Sequence, residues 1–145
     1  MSTTWTLSDL SKKMKEFDFC FLSTHSEGGT IAGRPMSNNG DVEYEGDSYF
    51  FTSDDTLTVS DIQRDSKVAL SFQGPKSLLG KPGLMIAIEG GAELIRDKAA
   101  FKEHWTPDIE RWFEKGVDTP DLVLIKVHAT RIHYWDGEDQ GEIKP

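Results

Sequence analysis

Hydrophobic and polar positions alternate along much of the chain, the two-residue period that side chains take on a β-strand. The clearest case is 67–74, where Val68, Leu70 and Phe72 are apolar and the intervening residues are small or polar. Other segments are rich in strand-forming residues and end at turn residues. Together they predict six strands in succession, over 17–25, 30–38, 49–52, 67–74, 84–95 and 121–135.

Short helices are predicted between these strands, because apolar residues there recur at helical spacing behind residues that cap helix N-termini. Thr6 and Asp9 have the spacing of a capping box, ahead of an apolar stripe that runs from Leu7 to Phe17. The other predicted helices cover 54–64 with Asp54 or Asp55 as N-cap, 97–105 with Asp97 as N-cap, and a last one with Thr106 as N-cap, Pro107 at its first position and Gly116 past its end.

Six strands in hairpin-like succession with a few short helices are typical of a small antiparallel β-barrel, not of a parallel doubly wound sheet. Gly90 and Gly91 in the middle of a strand predict a bulge or a sharp corner. We find no repeat and no linker, so we expect one domain over 1–136 and a polar, frayed tail over 137–145. Because such a barrel has a filled interior, a ligand is expected at its rim or at a subunit interface.

Composition narrows the function. The chain has 145 residues, 37% of them hydrophobic, and 25 acidic against 16 basic side chains, a formal net charge of −9. This balance argues against nucleic acid and anionic membrane surfaces as partners. The first fifteen residues lack an apolar leader, and no apolar run is long enough to span a bilayer. We therefore expect a cytoplasmic protein.

Metal and nucleophile chemistry find no support in the sequence. The single cysteine, Cys20, lies in an apolar strand and is expected to be buried and inert. The four histidines are scattered, and His128 and His133 face opposite sides of one strand unless a bulge intervenes. We expect surface or partly packed histidines and no metal site. Segment 74–82 resembles a phosphate loop, but its glycine spacing is one residue too long, and Pro82 stands where a hydroxyl is required.

Three segments carry candidate chemistry. Arg34 and Met36 share one strand face, and Pro35 between them indicates an edge or open position, because proline donates no ladder hydrogen bond. Arg34 either binds a phosphate or carboxylate or simply faces solvent. The segment 49–58 passes from a strand into a helix, where hydroxyls either bind an anion or cap the helix, with Asp54 and Asp55 opposing an anion; these hydroxyls are Thr52, Ser53, Thr56 and Thr58. Ser71 and Gln73 form a third, polar strand face.

These segments taken together resemble one family. Arg34-Pro35-Met36, Phe50-Phe51-Thr52-Ser53, the strand 68–73, Pro120-Asp121-Leu122 and Tyr134-Trp135-Asp136 follow in the order seen in flavin-binding split barrels related to pyridoxamine 5′-phosphate oxidase, in the general stress protein 26 branch. The resemblance covers nearly the whole chain. It implies a six-stranded antiparallel Greek-key split barrel that forms a homodimer, with two sites for flavin mononucleotide (FMN) across the subunit interface.

The resemblance also implies roles for individual residues. Arg34 would contact the phosphate or ribityl chain, and the backbone of Pro35 and Met36 would approach the flavin ring. The other implied contacts are Phe51, Thr52 and Ser53 along the ring and ribityl chain, Thr56 and Thr58 at the phosphate, and Gln73 near the ring. Apart from the resemblance, Trp105, Trp112 and Trp135 either line a planar ligand or pack in the core. FAD remains an alternative to FMN.

One departure from the family pattern weakens the expected phosphate contact. Relatives commonly carry a basic residue after the Thr-Ser stretch, where this chain has Thr56-Leu57-Thr58. Losing a charge-assisted hydrogen bond predicts weaker FMN binding, unless Arg34, Arg64 or Lys67 compensates. The C-terminal strand offers only Arg131 and His133 for a substrate phosphate, so the sequence favours a flavoprotein oxidoreductase of unknown substrate over a pyridoxamine phosphate oxidase. The alternative is a flavin carrier or sensor, or a split barrel that has lost its cofactor.

Overall fold

The structure, a computed structural model, describes residues 4–38, 42–76, 78–80 and 82–145. It contains three α-helices and seven β-strands among these residues. In chain order they are α1 Leu7–Met14, β1 Phe19–His25, β2 Ile31–Ser37, β3 Asp47–Ser53, α2 Leu57–Arg64, β4 Lys67–Gln73, β5 Met85–Ile95, α3 Lys98–His104, β6 Leu122–Asp136 and β7 Asp139–Ile143. No helix among the described residues is long and apolar enough to cross a membrane.

The strands form one antiparallel sheet in the order β2-β1-β4-β5-β6-β3, and β7 pairs with β6 beside this path. The predicted antiparallel split barrel is therefore confirmed. Within the described residues no pairing joins β2 to β3, so the barrel stays open between these two end strands. This opening positions the candidate site, because it leaves one edge of each strand without a β-ladder partner.

The frayed C-terminal tail was a wrong prediction, because 139–143 form β7. This strand pairs with the second half of β6, from Ile132 opposite Ile143 to Asp136 opposite Asp139. The pairing of β3 with β6 ends at His128, so β7 satisfies backbone groups that the rest of β6 would otherwise leave open. Ile143 is buried in the core, which adds apolar burial to the ladder bonds.

Alternation places the core on the inner face of the sheet. In β4 the buried residues are Val68, Leu70 and Phe72, as the sequence pattern predicts. Helix α1 closes this core with Leu10 and Met14 and begins at the predicted capping box of Thr6 and Asp9. A second, smaller apolar cluster lies under the connection between α3 and β6, and it is formed by Phe101, Leu122, Leu124 and the partly buried Tyr49, Phe51, Ile95, Ala100, Trp105, Phe113 and Val117.

Two helix predictions need correction. Helix α2 begins one or two residues later than expected, because Thr56, not Asp54 or Asp55, is the N-cap and accepts a hydrogen bond from the Val59 backbone N–H. The helix predicted between Thr106 and Gly116 is only a short 3-10 helix at Pro107–Arg111, followed by another at Gly116–Asp118. The N-cap Asp97 of α3 is confirmed.

The bulge predicted from Gly90 and Gly91 is also confirmed, with its extra residue on the facing strand β6. The register between β5 and β6 shifts between Glu89 and Gly90, so that Glu89 pairs with Arg131 and Gly90 with Ala129. One residue of β6 is thereby skipped, and the inward and outward positions change places along the strand. As a result His128 and His133 both avoid the core, the arrangement expected where a bulge intervenes between them.

The β6–β7 ladder carries a cluster of charged side chains that predicts acid sensitivity. The hydrogen bond from Arg131 to the Glu142 carboxylate, 2.8 Å from Nε to Oε1, together with contact to His133, holds the pKa of Glu142 below its usual value. A depressed carboxylate pKa stabilises the folded state above the ordinary glutamate range and loses that effect as the pH falls through the folded pKa. We therefore expect amide protection of β7 to fall below about pH 4.

Hydrogen exchange of the β7 amides across this pH range measures the effect. Glu142→Gln should lower β7 protection at neutral pH and flatten its pH dependence, with β4 amides as the internal reference. An unchanged acid response in Glu142→Gln would show that other groups cause the loss.

Candidate functional site

A cleft of about 530 Å³ lies at the opening between β2 and β3. One wall comes from the end of β2 and the opposite wall from β3, and the segment 106–113 forms the third. The cleft exists because the two end strands of the sheet are not paired with each other and a connection packs beside them. It is lined by Asp18, Phe19, Pro35, Met36, Ser37, Asn38, Tyr49, Phe50, Phe51, Thr52, Ser53, Thr56, Thr106, Asp108, Ile109, Arg111, Trp112 and Phe113.

Aromatic side chains give the cleft a rigid apolar wall. Phe51 of β3 packs edge-on against Trp105 at 4.9 Å and against Phe101 at 5.9 Å between ring centroids. Trp105 in turn contacts Phe113, with ring centroids 6.2 Å apart. Trp112 remains 58% exposed, with the Arg111 guanidinium 5.4 Å from its ring centroid. These aromatic side chains suit a flat ligand, because an aromatic ring packed at a fixed orientation can bury a large area of a planar molecule.

Hydroxyl groups line the β3 side, but the one at the helix start is already engaged. Thr56 Oγ1 lies 3.0 Å from the Ser53 carbonyl oxygen, to which it donates, and it accepts from the Val59 N–H at 3.3 Å. Thr56 therefore caps α2, as the simpler of the two interpretations had it. Thr52 and Ser53 complete the hydroxyl side of the cleft.

Arg34 does not line the cleft. It points to the inner side of β2, where its Nη1 donates to Thr24 Oγ1 at 2.7 Å and to the Leu22 carbonyl at 3.3 Å. Its Nη2 lies 3.5 Å from Oδ2 of Asp61, a carboxylate that is 4% exposed. Asp61 also accepts from Thr24 at 2.8 Å and pairs with Arg64 at 3.5 Å. The structure thus places Arg34 in an internal ion pair, an arrangement absent from both sequence interpretations.

The structure brings most of the predicted site residues together and separates three of them. Those that line the cleft are Pro35, Met36, Phe51, Thr52, Ser53 and Thr56. Besides Arg34, Thr58 is buried on the inner face of α2, and Gln73 lies exposed at the end of β4. Among the tryptophans that were candidates to line a planar ligand, Trp112 lines the cleft and Trp135 does not.

The residues that sequence reasoning missed come mainly from the connection after α3. Asp108, Ile109 and Arg111 of the 3-10 helix at Pro107–Arg111, and Phe113 just after it, line the cleft together with β3. The only sequence signal was the density of aromatic residues in this connection, which by itself does not identify the strand it covers. Asp18 and Phe19, next to β2 in the fold, had no local signal.

The charges around the cleft are mostly negative. Its charged lining residues are Asp18, Asp108 and Arg111, and the last of these lies over Trp112. At the start of α2, Asp54 is bound to Arg96 at 2.5 Å, whereas Asp55 is exposed. An anionic ligand would therefore meet a negative field, as the net charge of −9 already suggests.

Other reactive side chains offer no competing chemistry. Burial raises the pKa of Cys20 to about 12, so its thiol stays protonated and unreactive at neutral pH. Burial also raises the pKa of Tyr49, whose ring stacks on His104 with centroids 3.7 Å apart. In the part of the chain that the structure describes, no three His, Cys, Asp or Glu side chains group to hold a metal ion.

The fold is an open antiparallel split barrel with an aromatic cleft between its unpaired end strands. The model of the family described as "Pyridoxamine 5′-phosphate oxidase like" matches residues 6–144. The chain therefore belongs to the pyridoxamine 5′-phosphate oxidase-like family. No protein in the set of curated proteins matches the sequence.

Solved structures agree with the fold. A Clostridium acetobutylicum protein related to general stress protein 26 is 19% identical, with a TM-score of 0.78 over 95% of this chain and 93% of that one. General stress protein 26 of Bacillus anthracis is 19% identical, with a TM-score of 0.70 over 96% of both chains. A heme-binding protein of Mycobacterium smegmatis is 14% identical, with a TM-score of 0.77 over 99% of this chain and 60% of that one.

Proposed function

We propose that the cleft binds the ring system of a flavin and that the protein is a cytoplasmic flavin-dependent oxidoreductase. The observation that carries the proposal is the aromatic wall around Phe51 and Trp112, set beside the unpaired edge of β2. When bound, a flavin supplies hydride or electron transfer, and the protein supplies position and electrostatics. Membership of the pyridoxamine 5′-phosphate oxidase-like family supports this choice.

The residues present fit the ring and the polyol chain of a flavin. Among the described residues β2 pairs only with β1, so the backbone groups along its other edge are available as donors and acceptors for a heteroaromatic ring edge. Pro35 adds an apolar surface without an unsatisfied N–H. Thr52 and Ser53 offer hydroxyls for a polyol. The phosphate of FMN does not fit equally well, because Arg34 is paired with Asp61.

The heme-binding relative suggests heme as another flat ligand. Heme iron is most often held by a histidine or a cysteine thiolate. The described lining of the cleft contains neither, and Met36, its methionine, packs against the core. The donor set therefore favours a flavin over heme.

Absorption and fluorescence of the purified protein test the proposal. A yellow preparation, or quenching of added flavin on binding, supports it, and a colourless protein that binds no flavin overturns it. Anaerobic reduction of the bound flavin by NADH or NADPH then separates an oxidoreductase from a flavin carrier or sensor.

We expect Trp112→Ala to weaken flavin binding by about three- to tenfold, because an aromatic stack contributes about 0.5–1.5 kcal/mol beyond the buried area. Trp112 is more than half exposed, so its loss should cost little stability. Fluorescence titration gives the affinity. Trp112→Phe is the matched control and should retain most of it, whereas equal affinity in Trp112→Ala would place the ring elsewhere.

We also propose that a second copy of the chain covers the outer face of the sheet. Phe19 and Phe21 of β1 and Met85 and Trp135 of β5 and β6 are exposed on this face, on the two sides of β4, and Phe19 also lines the cleft. Exposed apolar patches of this kind mark interaction surfaces. The continuity of patch and cleft suits a symmetric homodimer with a flavin site at each end of the interface.

Sedimentation should accordingly give twice the 16.3 kDa chain mass. Phe21→Glu should shift the protein toward the monomer, because the carboxylate would be buried without a partner. Leu57→Glu changes an equally apolar exposed residue of α2 and should leave the dimer intact. A wild-type mass of one chain contradicts this proposal.

A further inference from the structure

We infer that the cleft selects a flavin with a neutral side chain, of the riboflavin type, over one that carries a phosphate. This inference rests on the proposed flavin site and concerns only the group at the end of the polyol. The sequence suggested weaker FMN binding because of a missing basic residue. The structure goes further, because the arginine expected to compensate is already bound inside the protein.

The first argument is the state of Arg34. Both terminal nitrogens of its guanidinium are used, Nη1 by Thr24 and the Leu22 carbonyl and Nη2 by Asp61. Turning Arg34 toward a phosphate would leave the buried Asp61 with the Thr24 hydroxyl and, as its counter-charge, the more exposed Arg64 at 3.5 Å. Removing one partner from a buried ion pair is strongly unfavourable, so a phosphate cannot recruit Arg34 without a large cost.

The second argument is the charge of the cleft itself. Asp18 and Asp108 outnumber Arg111 among its charged lining residues, and Arg111 is also occupied by the face of Trp112. Near the Thr56 cap, the carboxylate of Asp54 pairs with Arg96, whereas Asp55 is exposed. A phosphate would be repelled here, since it would carry its charge into a field of the same sign.

The third argument is that this chain has Thr56-Leu57-Thr58, with no basic side chain, where the family pattern has a basic residue. Thr58 is 8% exposed, so position 58 lies on the buried face of α2 and does not line the cleft. The hydroxyls of Thr52 and Ser53, by contrast, match the neutral hydroxyls of a ribityl chain. The cleft thus provides for the ring and the polyol and opposes the phosphate.

Fluorescence titrations of the full-length protein with lumiflavin, riboflavin and FMN test the inference. We expect riboflavin to bind at least about tenfold tighter than FMN at low salt, and the difference to narrow as salt screens the repulsion. FMN binding that equals or exceeds riboflavin binding overturns the inference and leaves the proposed function standing. Failure of all three flavins to bind, lumiflavin included, overturns the proposed function itself.

A charge variant tests the cause. Asp108→Asn should raise the affinity for FMN relative to riboflavin by about threefold or more at low salt. Glu27→Gln is the matched control, because it removes the same charge in the turn before β2, at the opposite end of this strand from Pro35 and Ser37. An affinity ratio that responds equally in both variants, or in neither, overturns the assignment of the selectivity to the cleft carboxylates.

Discussion

Replacing Gly90 by alanine is expected to destabilise the fold by about 2–4 kcal/mol. Gly90 lies on β5 beside the bulge, and a Cβ there would clash with the carbonyl oxygen of His128 on β6. The obstructing atom belongs to the backbone, so no side-chain rotation relieves the clash. Either the bulge or the β5–β6 ladder must move, and this ladder joins the two halves of the sheet.

The neighbouring glycine supplies the control. A Cβ at Gly91 would lie 4.0 Å from the Ser66 carbonyl oxygen, an ordinary van der Waals distance. Gly91→Ala should therefore be neutral or stabilising by about 0.5–1 kcal/mol, because alanine restricts the unfolded chain. Urea midpoints with unchanged slopes measure both variants. If Gly90→Ala unfolds at the wild-type midpoint, the bulge adapts and the steric argument is wrong.

Replacing Asp61 by asparagine is expected to cost about 2–3 kcal/mol of stability, because it leaves the partly buried Arg34 without its counter-charge. The asparagine keeps the size of the side chain and an oxygen for the Thr24 hydroxyl, so the loss reports on charge and not on a cavity. The value lies below that of a fully buried pair, since the Arg34 side chain is 21% exposed.

Thermal and urea unfolding give the size of this effect. Glu45→Gln is the control, because it removes one negative charge from an exposed position and should change stability by no more than about 0.5 kcal/mol. If Asp61→Asn is as stable as Glu45→Gln, Arg34 does not depend on Asp61. Arg34 would then be available to an anion, and the case for a neutral flavin would weaken as well.

Local patterns determined much of the architecture. The alternation over 67–74, the capping box of Thr6 and Asp9 and the glycine pair at 90–91 each specified an element, because their physical causes lie within a few residues. The same patterns were misleading where a local signal competed with packing. Thr106 and Pro107 begin a helix as expected, but it is a short 3-10 helix that ends at Arg111 instead of continuing to Gly116.

The candidate site was only half determined in this way. Sequence and family resemblance pointed to Pro35, Met36 and the 51–53 stretch, all of which line the cleft. They also pointed to Arg34, whose ion pair with Asp61 crosses from β2 to α2, and no local pattern reports such a contact. Asp61 by itself reads as one of many acidic residues on a helix.

Periodicity, capping and composition act over short range or over the whole chain, so they were enough to specify β1 to β6, most of the helix starts, the bulge and the acidic balance. Folding settled which strand edges stay unpaired, that β7 completes β6, and that 106–113 borders the cleft. It also decided that Arg34 is turned inward. These features depend on contacts between residues far apart in the chain, where burial and charge pairing, not local propensity, select the outcome.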